Sequence, residues 1–143
     1  MRAVANKKLP TIVVLDPART LEIKWWSLQG MPVAVTFFTS SAEESINLAA
    51  SYGVDLLVIQ LPVDGLSVGD LIRVVRRLNS AVRIAVVVGP DAMPGGAEIH
   101  GAEADFFATE SLDFAVLASV FKRLIAEARG GAGSIPRTTG TAA

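Results

Sequence analysis

Short apolar runs recur along the chain, separated by longer stretches in which apolar residues return every three or four positions. Three runs are almost entirely aliphatic and β-branched, which is typical of central parallel strands covered on both faces. They are Thr11 to Leu15 (TIVVL), Leu56 to Ile59 (LLVI) and Ile84 to Val88 (IAVVV). Two less uniform runs, Val33 to Phe38 and Asp105 to Ala108, are predicted to complete a five-stranded sheet.

Helix-starting signals follow the first two strands. Asp16 and Pro17 predict an N-cap and a first helical residue, which open a helix that continues to about Gln29. Ser40 and Ser41 each stand three residues before a glutamate, which is the capping-box pattern. A second helix is therefore predicted directly after the second strand.

Apolar stripes at helical spacing predict the remaining helices. The third helix would bury Leu71, Val74, Val75 and Leu78, with Arg73, Arg76 and Arg77 outside. The last helix would bury Phe114, Leu117, Phe121, Leu124 and Ile125. Between the fourth and fifth strands, residues 89–101 are rich in proline and glycine, so the fourth helix is predicted to be short or irregular. This order, βαβαβαβ(α)βα, predicts a doubly wound parallel sheet with helices on both faces.

Composition narrows the classes of function. The 143 residues fit a single domain, predicted over 10–129, with an N-terminal tail (1–9) and a flexible C-terminal tail (130–143). Hydrophobic residues make up 51%, yet no apolar run approaches the ~20 residues of a membrane span. A net charge of −1 argues against nucleic-acid binding. The chain has no cysteine and one histidine, His100, so no metal site is expected. The absence of a secretory signal pattern at the start of the sequence predicts a cytoplasmic protein.

Four segments resemble the receiver domains of bacterial two-component response regulators, and the resemblance runs from Leu9 to Arg129. IVVLDP resembles the opening strand with its acidic pair, and VDLLVIQLPVDG resembles the strand that carries the phosphorylated aspartate. IAVVVG resembles the strand ending in a hydroxyl residue, and ADFFATES resembles the segment with a switch aromatic and a lysine. The resemblance implies a CheY-like, flavodoxin-like fold. In that family two acidic residues hold Mg²⁺, and an aspartate takes the phosphoryl group.

The residues at the chemical positions of that family differ here. Leu15 replaces the first acid and leaves only Asp16, and Gln60 stands at the phosphorylated aspartate. Val88 stands at the hydroxyl position and Glu110 at the lysine. An amide cannot act as a carboxylate nucleophile, and Glu110 reverses the charge that a bound anion requires. The resemblance therefore implies a pseudo-receiver with a degenerate phosphorylation pocket, no enzyme activity, no metal and no cofactor.

Several of these residues also have a purely structural interpretation. Asp16 fits the cap of the first helix as well as a residual Mg²⁺ ligand, and Gln60 fits a neutral residue that closes the old pocket through hydrogen bonds. Glu110 near Asp16 would place two acids together, and His100 is expected to be exposed. Four arginines have two interpretations: they form a patch that binds an acidic partner, or they belong to a solvated helix face. These arginines are Arg73, Arg76, Arg77 and Arg83.

Two aromatic features suggest interaction surfaces. On the first helix, Trp25 falls on the core side, while Ile23 and Trp26 project away from it and are predicted to contact a partner. A second predicted partner or self-association surface combines the glycine- and proline-rich segment with the fifth strand and the last helix. Its candidate residues are Phe106, Phe107 (at the switch-aromatic position), Val116 and Val120. The alternative is that the glycine- and proline-rich segment folds back and buries these groups internally.

The leading hypothesis is a stand-alone adaptor in bacterial signalling that binds another protein or a second copy of itself. Because the residues after Arg129 contain neither a helix-turn-helix pattern nor a catalytic segment, the effect is expected to pass through another molecule. The alternative is a flavodoxin-like regulatory domain that binds a small molecule or phosphate, although the segment after the first strand lacks the Ser/Thr/Gly-rich loop that would favour it. A third hypothesis, an enzyme using Asp16, Glu110 and His100, lacks a nucleophile with a nearby base.

Overall fold

Strands and helices alternate along the chain in the computed structural model, which describes residues 9–25, 33–61, 67–88, 104–109 and 114–130. The strands are β1 (Thr11–Leu15), β2 (Val35–Thr39), β3 (Leu56–Leu61), β4 (Arg83–Val88) and β5 (Phe106–Thr109). The helices, numbered in the order in which they are described, are α1 (Thr20–Trp25), α2 (Ala42–Ser51), α3 (Val68–Leu78) and α4 (Phe114–Ala128).

The five strands form one parallel sheet in the order β2-β1-β3-β4-β5. Leu15 at the end of β1 lies level with Ile59 of β3. Further along the sheet, Val88 of β4 lies level with both Leu61 of β3 and Thr109 of β5. Because the strand order reverses direction at β1, the sheet is doubly wound, as predicted.

Helices cover both faces of this sheet, and this explains why its central strands are apolar throughout. Alternate residues of a strand point to opposite faces. Val13 and Ile59 lie in the core formed with α2 and α3, whereas Val14 and Val58 lie in the core formed with α1 and α4. The predicted arrangement of two helical layers around a buried parallel sheet is therefore confirmed.

The start of α1 differs from the prediction. Pro17 is not the first helical residue, because residues 16–19 form a turn in which the carbonyl of Asp16 accepts a hydrogen bond from the Arg19 N–H at 3.0 Å. Arg19 has a φ of 62°, in the left-handed region, and the helix begins at Thr20. Proline at the second position of a turn and proline at the first position of a helix need the same φ, so the dipeptide alone does not distinguish them.

The strand boundaries move by one or two residues. β3 was predicted to end at Ile59, but it continues through Gln60 to Leu61 because β4 still pairs with it as far as Val88. β2 begins at Val35 rather than Val33. As a result, Gln60 belongs to the strand itself rather than to the loop that follows it.

The buried stripe of α3 also differs from the prediction. Val68, Leu71, Ile72 and Val75 are buried, whereas Val74 and Leu78 are 37% and 48% exposed. Arg76 was predicted to lie outside the stripe in solvent, but its guanidinium donates to the Val82 carbonyl at 3.1 Å and to the Asp105 carboxylate at 2.7 Å. The α3 sequence fits two overlapping apolar stripes, and the sheet selects the one shifted toward Val68.

Ion pairs close the edge of the sheet at which the strands begin. Arg76 of α3 pairs with Asp105 before β5, and Arg83 of β4 pairs with Glu127 of α4 at 3.4 Å. Asp55, just before β3, accepts the Thr11 N–H at 2.9 Å and lies 3.5 Å from Arg129. Arg76 and Arg83 therefore tie strands to helices and are not part of a solvated helix face.

Some predictions fall outside the described residues. These concern the short helix predicted between β4 and β5, most of the two tails and the part of the first helix beyond Trp25. Within the described ranges, no helix is long and apolar enough to cross a membrane.

Candidate functional site

Three of the predicted pocket residues meet where the strands end. Asp16 directly follows β1, and Gln60 occupies the equivalent level of β3, because Leu15 and Ile59 are register partners. Val88 is the last residue of β4. In open parallel sheets, ligands bind beyond the carboxyl ends of the strands. The structure thus brings Asp16, Gln60 and Val88 to the edge where such a site is expected.

Leu15 does not take part in this edge as a polar group. Its side chain is fully buried and packs with Val13, Leu57 and Ile59 on the face covered by α2 and α3. An aliphatic side chain in this position offers no ligand to a cation. Its contribution is to the core.

The carboxylate of Asp16 caps the N-terminal end of α1. Its carboxyl group is 2% exposed, with Oδ1 accepting the Thr20 N–H at 3.1 Å and Oδ2 accepting the Glu22 N–H at 2.7 Å. The Thr20 hydroxyl lies 3.4 Å from Oδ1. Both carboxylate oxygens are therefore engaged with the first turn of the helix, which is the capping role that the sequence allowed.

Gln60 is buried and only partly hydrogen-bonded. The residue is 3% exposed, and its Nε2 donates to the neighbouring Leu61 carbonyl at 3.1 Å. Oε1 has no donor among the described residues. Among the described residues, Gln60 thus makes one of the predicted pocket-closing hydrogen bonds, and its acceptor is the backbone of the next residue.

The far side of the edge is apolar where it is described. Val88 is buried and packs in the core beside α3. The strand register places Thr109 level with Val88. Glu110 and His100 both lie outside the described residues. No group of three or more histidine, aspartate or glutamate side chains that could hold a metal is found in the residues that the structure describes.

A polar network at the end of β2 was not anticipated. The Thr39 hydroxyl accepts the Ser41 N–H at 3.1 Å and donates to the Glu44 carboxylate. The Ser41 hydroxyl accepts the Glu44 N–H, as the capping box predicts. Glu44, however, binds Thr39 and not the Ser41 N–H. In the sequence, the signal for this network was Thr39 itself, which directly precedes the Ser-Ser pair. The Thr39 carbonyl also accepts the Asp16 N–H at 2.8 Å.

The predicted interaction residues differ in exposure. Ile23 is 74% exposed and Val116 is exposed on α4. Phe106 and Val120 are half-buried against the α1 and α4 core, and Phe107 is half-buried against the opposite one. Trp26 lies outside the described residues, whereas Trp25 is buried, as predicted.

We expect Gln60→Met to raise the free energy of unfolding by about 1 kcal/mol, because it removes a buried acceptor without a donor. Gln60→Glu should lower it by more than about 2 kcal/mol at neutral pH, because an ionised carboxylate would be desolvated there. Urea unfolding of the two variants beside the wild type measures both effects. A loss of stability in Gln60→Met would show that Oε1 is hydrogen-bonded in solution.

The strand order and the two helical layers define the CheY-like class of α/β fold. No protein-family model and no curated protein matches the chain. Solved structures do match it, and they include receiver domains of response regulators and signalling proteins.

One match is a CheY-like response regulator receiver domain protein from Methanospirillum hungatei, with a TM-score of 0.72 at 13% identity, covering 85% of this chain and 97% of that chain. A signal receiver domain of an HD domain-containing protein from Pseudomonas fluorescens gives 0.76 at 15% identity, with 89% and 94% covered. A two-component response regulator of the LuxR family from Aurantimonas gives 0.68 at 20% identity, with 83% and 86% covered. The chain therefore has the receiver-domain fold.

Proposed function

We propose that this chain is a pseudo-receiver, a receiver-like module of bacterial signalling that takes no phosphoryl group and acts by binding another protein. The observation that carries the proposal is Gln60, which is buried within β3 at the level of Asp16. Phosphoryl transfer to a receiver requires a carboxylate nucleophile, and a primary amide is not one. The similarity of the fold to receiver domains supports a signalling role.

The neighbouring residues support the same proposal. Asp16 has both oxygens occupied by backbone N–H groups of α1, so coordination of Mg²⁺ would compete with the helix cap. Leu15 and Val88 have aliphatic side chains in the core. At the positions that resemble the nucleophile, one metal ligand and the hydroxyl group, this chain thus carries an amide and two aliphatic side chains, which cannot supply that chemistry.

Incubation with acetyl phosphate and Mg²⁺, followed by intact-mass measurement, tests this proposal. We expect no gain of a phosphoryl group, because the acceptor position carries an amide. A receiver that has its aspartate, treated in the same reaction, serves as the positive control. Covalent addition of a phosphoryl group to this chain would contradict the proposal.

The partner is proposed to be another protein, with a homodimer as the special case. Ile23 on α1 and Val116 on α4 offer exposed aliphatic side chains, and β5 with Phe106 and Phe107 forms one edge of the sheet. Edge strands and exposed apolar side chains favour contact with a second chain. Sedimentation velocity over a range of concentrations separates the special case from the general one, since only self-association gives a concentration-dependent mass.

A further inference from the structure

The helix α3 has a second apolar strip, which lies outside the stripe that faces the core. Val74 and Leu78 are 37% and 48% exposed and lie one turn apart, so their side chains form a short continuous strip. The core side of α3 is already supplied by Val68, Leu71, Ile72 and Val75. Val74 and Leu78 are therefore not required to anchor the helix to the sheet.

Two arginines run beside this strip. Arg73 is paired with Asp70 at 2.8 Å, and hydrogen bonds to the side chains of Arg73 and Ser67 hold the pKa of Asp70 below its usual value. Arg77 is exposed, lies three residues after Val74 and forms no ion pair or hydrogen bond within the part of the chain that is described. Beside the strip, Arg77 is thus a guanidinium whose charge is not compensated by any of the described residues.

The strip faces the side of α3 toward α2. Arg76 reaches Asp105 beside β5, and Val74 lies two residues earlier, about 200° around the helix. Since α2 packs against α3 on the same face of the sheet, Val74 and Leu78 lie on the flank that borders α2. On α2, Ile46 is half-buried and packs against the core that includes the buried residues of α3, and Ala50, one turn later, is exposed. We call these four residues the α2–α3 groove.

We propose that the α2–α3 groove, with Arg77 on its rim, is a docking site for an acidic amphipathic helix of a partner protein. A helix lying in such a groove places aliphatic residues spaced four apart against Val74 and Leu78. Glutamates or aspartates on its flank then meet Arg77, where charge complementarity gives both orientation and specificity. The inference goes beyond the proposed function, because this surface is separate from Ile23, β5 and α4 and does not depend on the state of the phosphorylation pocket.

Charge complementarity also favours a different protein over a second copy of this chain. A second copy would have to present a helix with two exposed aliphatic residues one turn apart beside acids. Among the described helices, only α3 has two exposed aliphatic side chains larger than alanine one turn apart, and beside them Asp70 is already paired with Arg73. Two α3 helices would therefore place like charges together.

The test uses a synthetic helical peptide in which leucines spaced four residues apart are flanked by glutamates. Amide NMR spectra of the labelled full chain during titration should show saturable shifts in α2 and α3. Arg77→Glu is expected to weaken binding at least about tenfold, and the same peptide with lysines in place of glutamates should bind similarly weakly. Leu78→Ser should weaken it as well, because the apolar contact is lost.

Two matched variants control for charge and exposure. Lys122→Glu makes the same charge change on the exposed side of α4, and Leu9→Ser, just before β1, removes a leucine that is as exposed as Leu78, at 47% against 48%. Both should bind the glutamate peptide as the wild type does. Shifts confined to β5 and α4, equal binding of the lysine peptide, unchanged binding by Arg77→Glu, or no saturable binding would each overturn the proposal.

Discussion

Replacing Trp25 with alanine is expected to lower the free energy of unfolding by about 3–5 kcal/mol, the range for deleting a buried aromatic side chain. The indole is 3% exposed. It stacks on Phe121 with ring centroids 5.6 Å apart and meets Phe38 edge-on at 5.7 Å. Because α1, α4 and β2 all contact this one side chain, its removal leaves a cavity where three elements meet.

Urea denaturation measures this effect, and Ile23→Ala is the control on the same helix. Ile23 is 74% exposed, so its truncation should change the stability by less than about 0.5 kcal/mol. Comparable losses in the two variants would mean that the exposed side of α1 is covered in solution. The pair of variants thus separates the core side of α1 from the side proposed to meet a partner.

The sheet was predictable because its signal is short, strong and repeated. An uninterrupted aliphatic run such as Ile84 to Val88 fits a strand covered on both faces, and three such runs with two less uniform ones, separated by helical patterns, leave few topologies. The ends of the elements were less predictable. Gln60 stops an apolar run in the sequence, yet pairing between Leu61 and Val88 extends the strand past it. Where a strand ends depends on its neighbour, which a local pattern does not contain.

The burial on α3 shows a second limit of the pattern. Its apolar residues fit one stripe through Val74 and Leu78 and another through Val68 and Ile72. Both stripes contain Leu71 and Val75, so periodicity alone does not choose between them. The structure chooses the second, and only then does the outer strip of α3 become visible as a surface. The candidate docking site therefore could not be derived from the sequence.

Replacing Asp16 with alanine should lower the free energy of unfolding by about 2–3 kcal/mol, because the N–H groups of Thr20 and Glu22 lose their acceptor. Asp70→Ala is the control, since this carboxylate also lies at the start of a helix. It belongs to an ion pair with Arg73 in which each side chain is 56% exposed. Its loss should change the stability far less than the loss of Asp16, because solvent screens the exposed pair. Urea denaturation of the two variants gives the comparison.

The same variants distinguish a helix cap from a residual metal ligand. If Asp16 serves α1 alone, Mg²⁺ leaves the melting temperature of the wild type unchanged, because an ion would have to displace two backbone donors from a buried carboxylate. A ligand that binds only the folded state raises its stability in proportion to occupancy. A Mg²⁺-dependent rise in Tm that disappears in Asp16→Ala would therefore assign Asp16 to a metal site, and the carboxyl edge of the sheet would then retain part of the chemistry of a phosphorylated receiver.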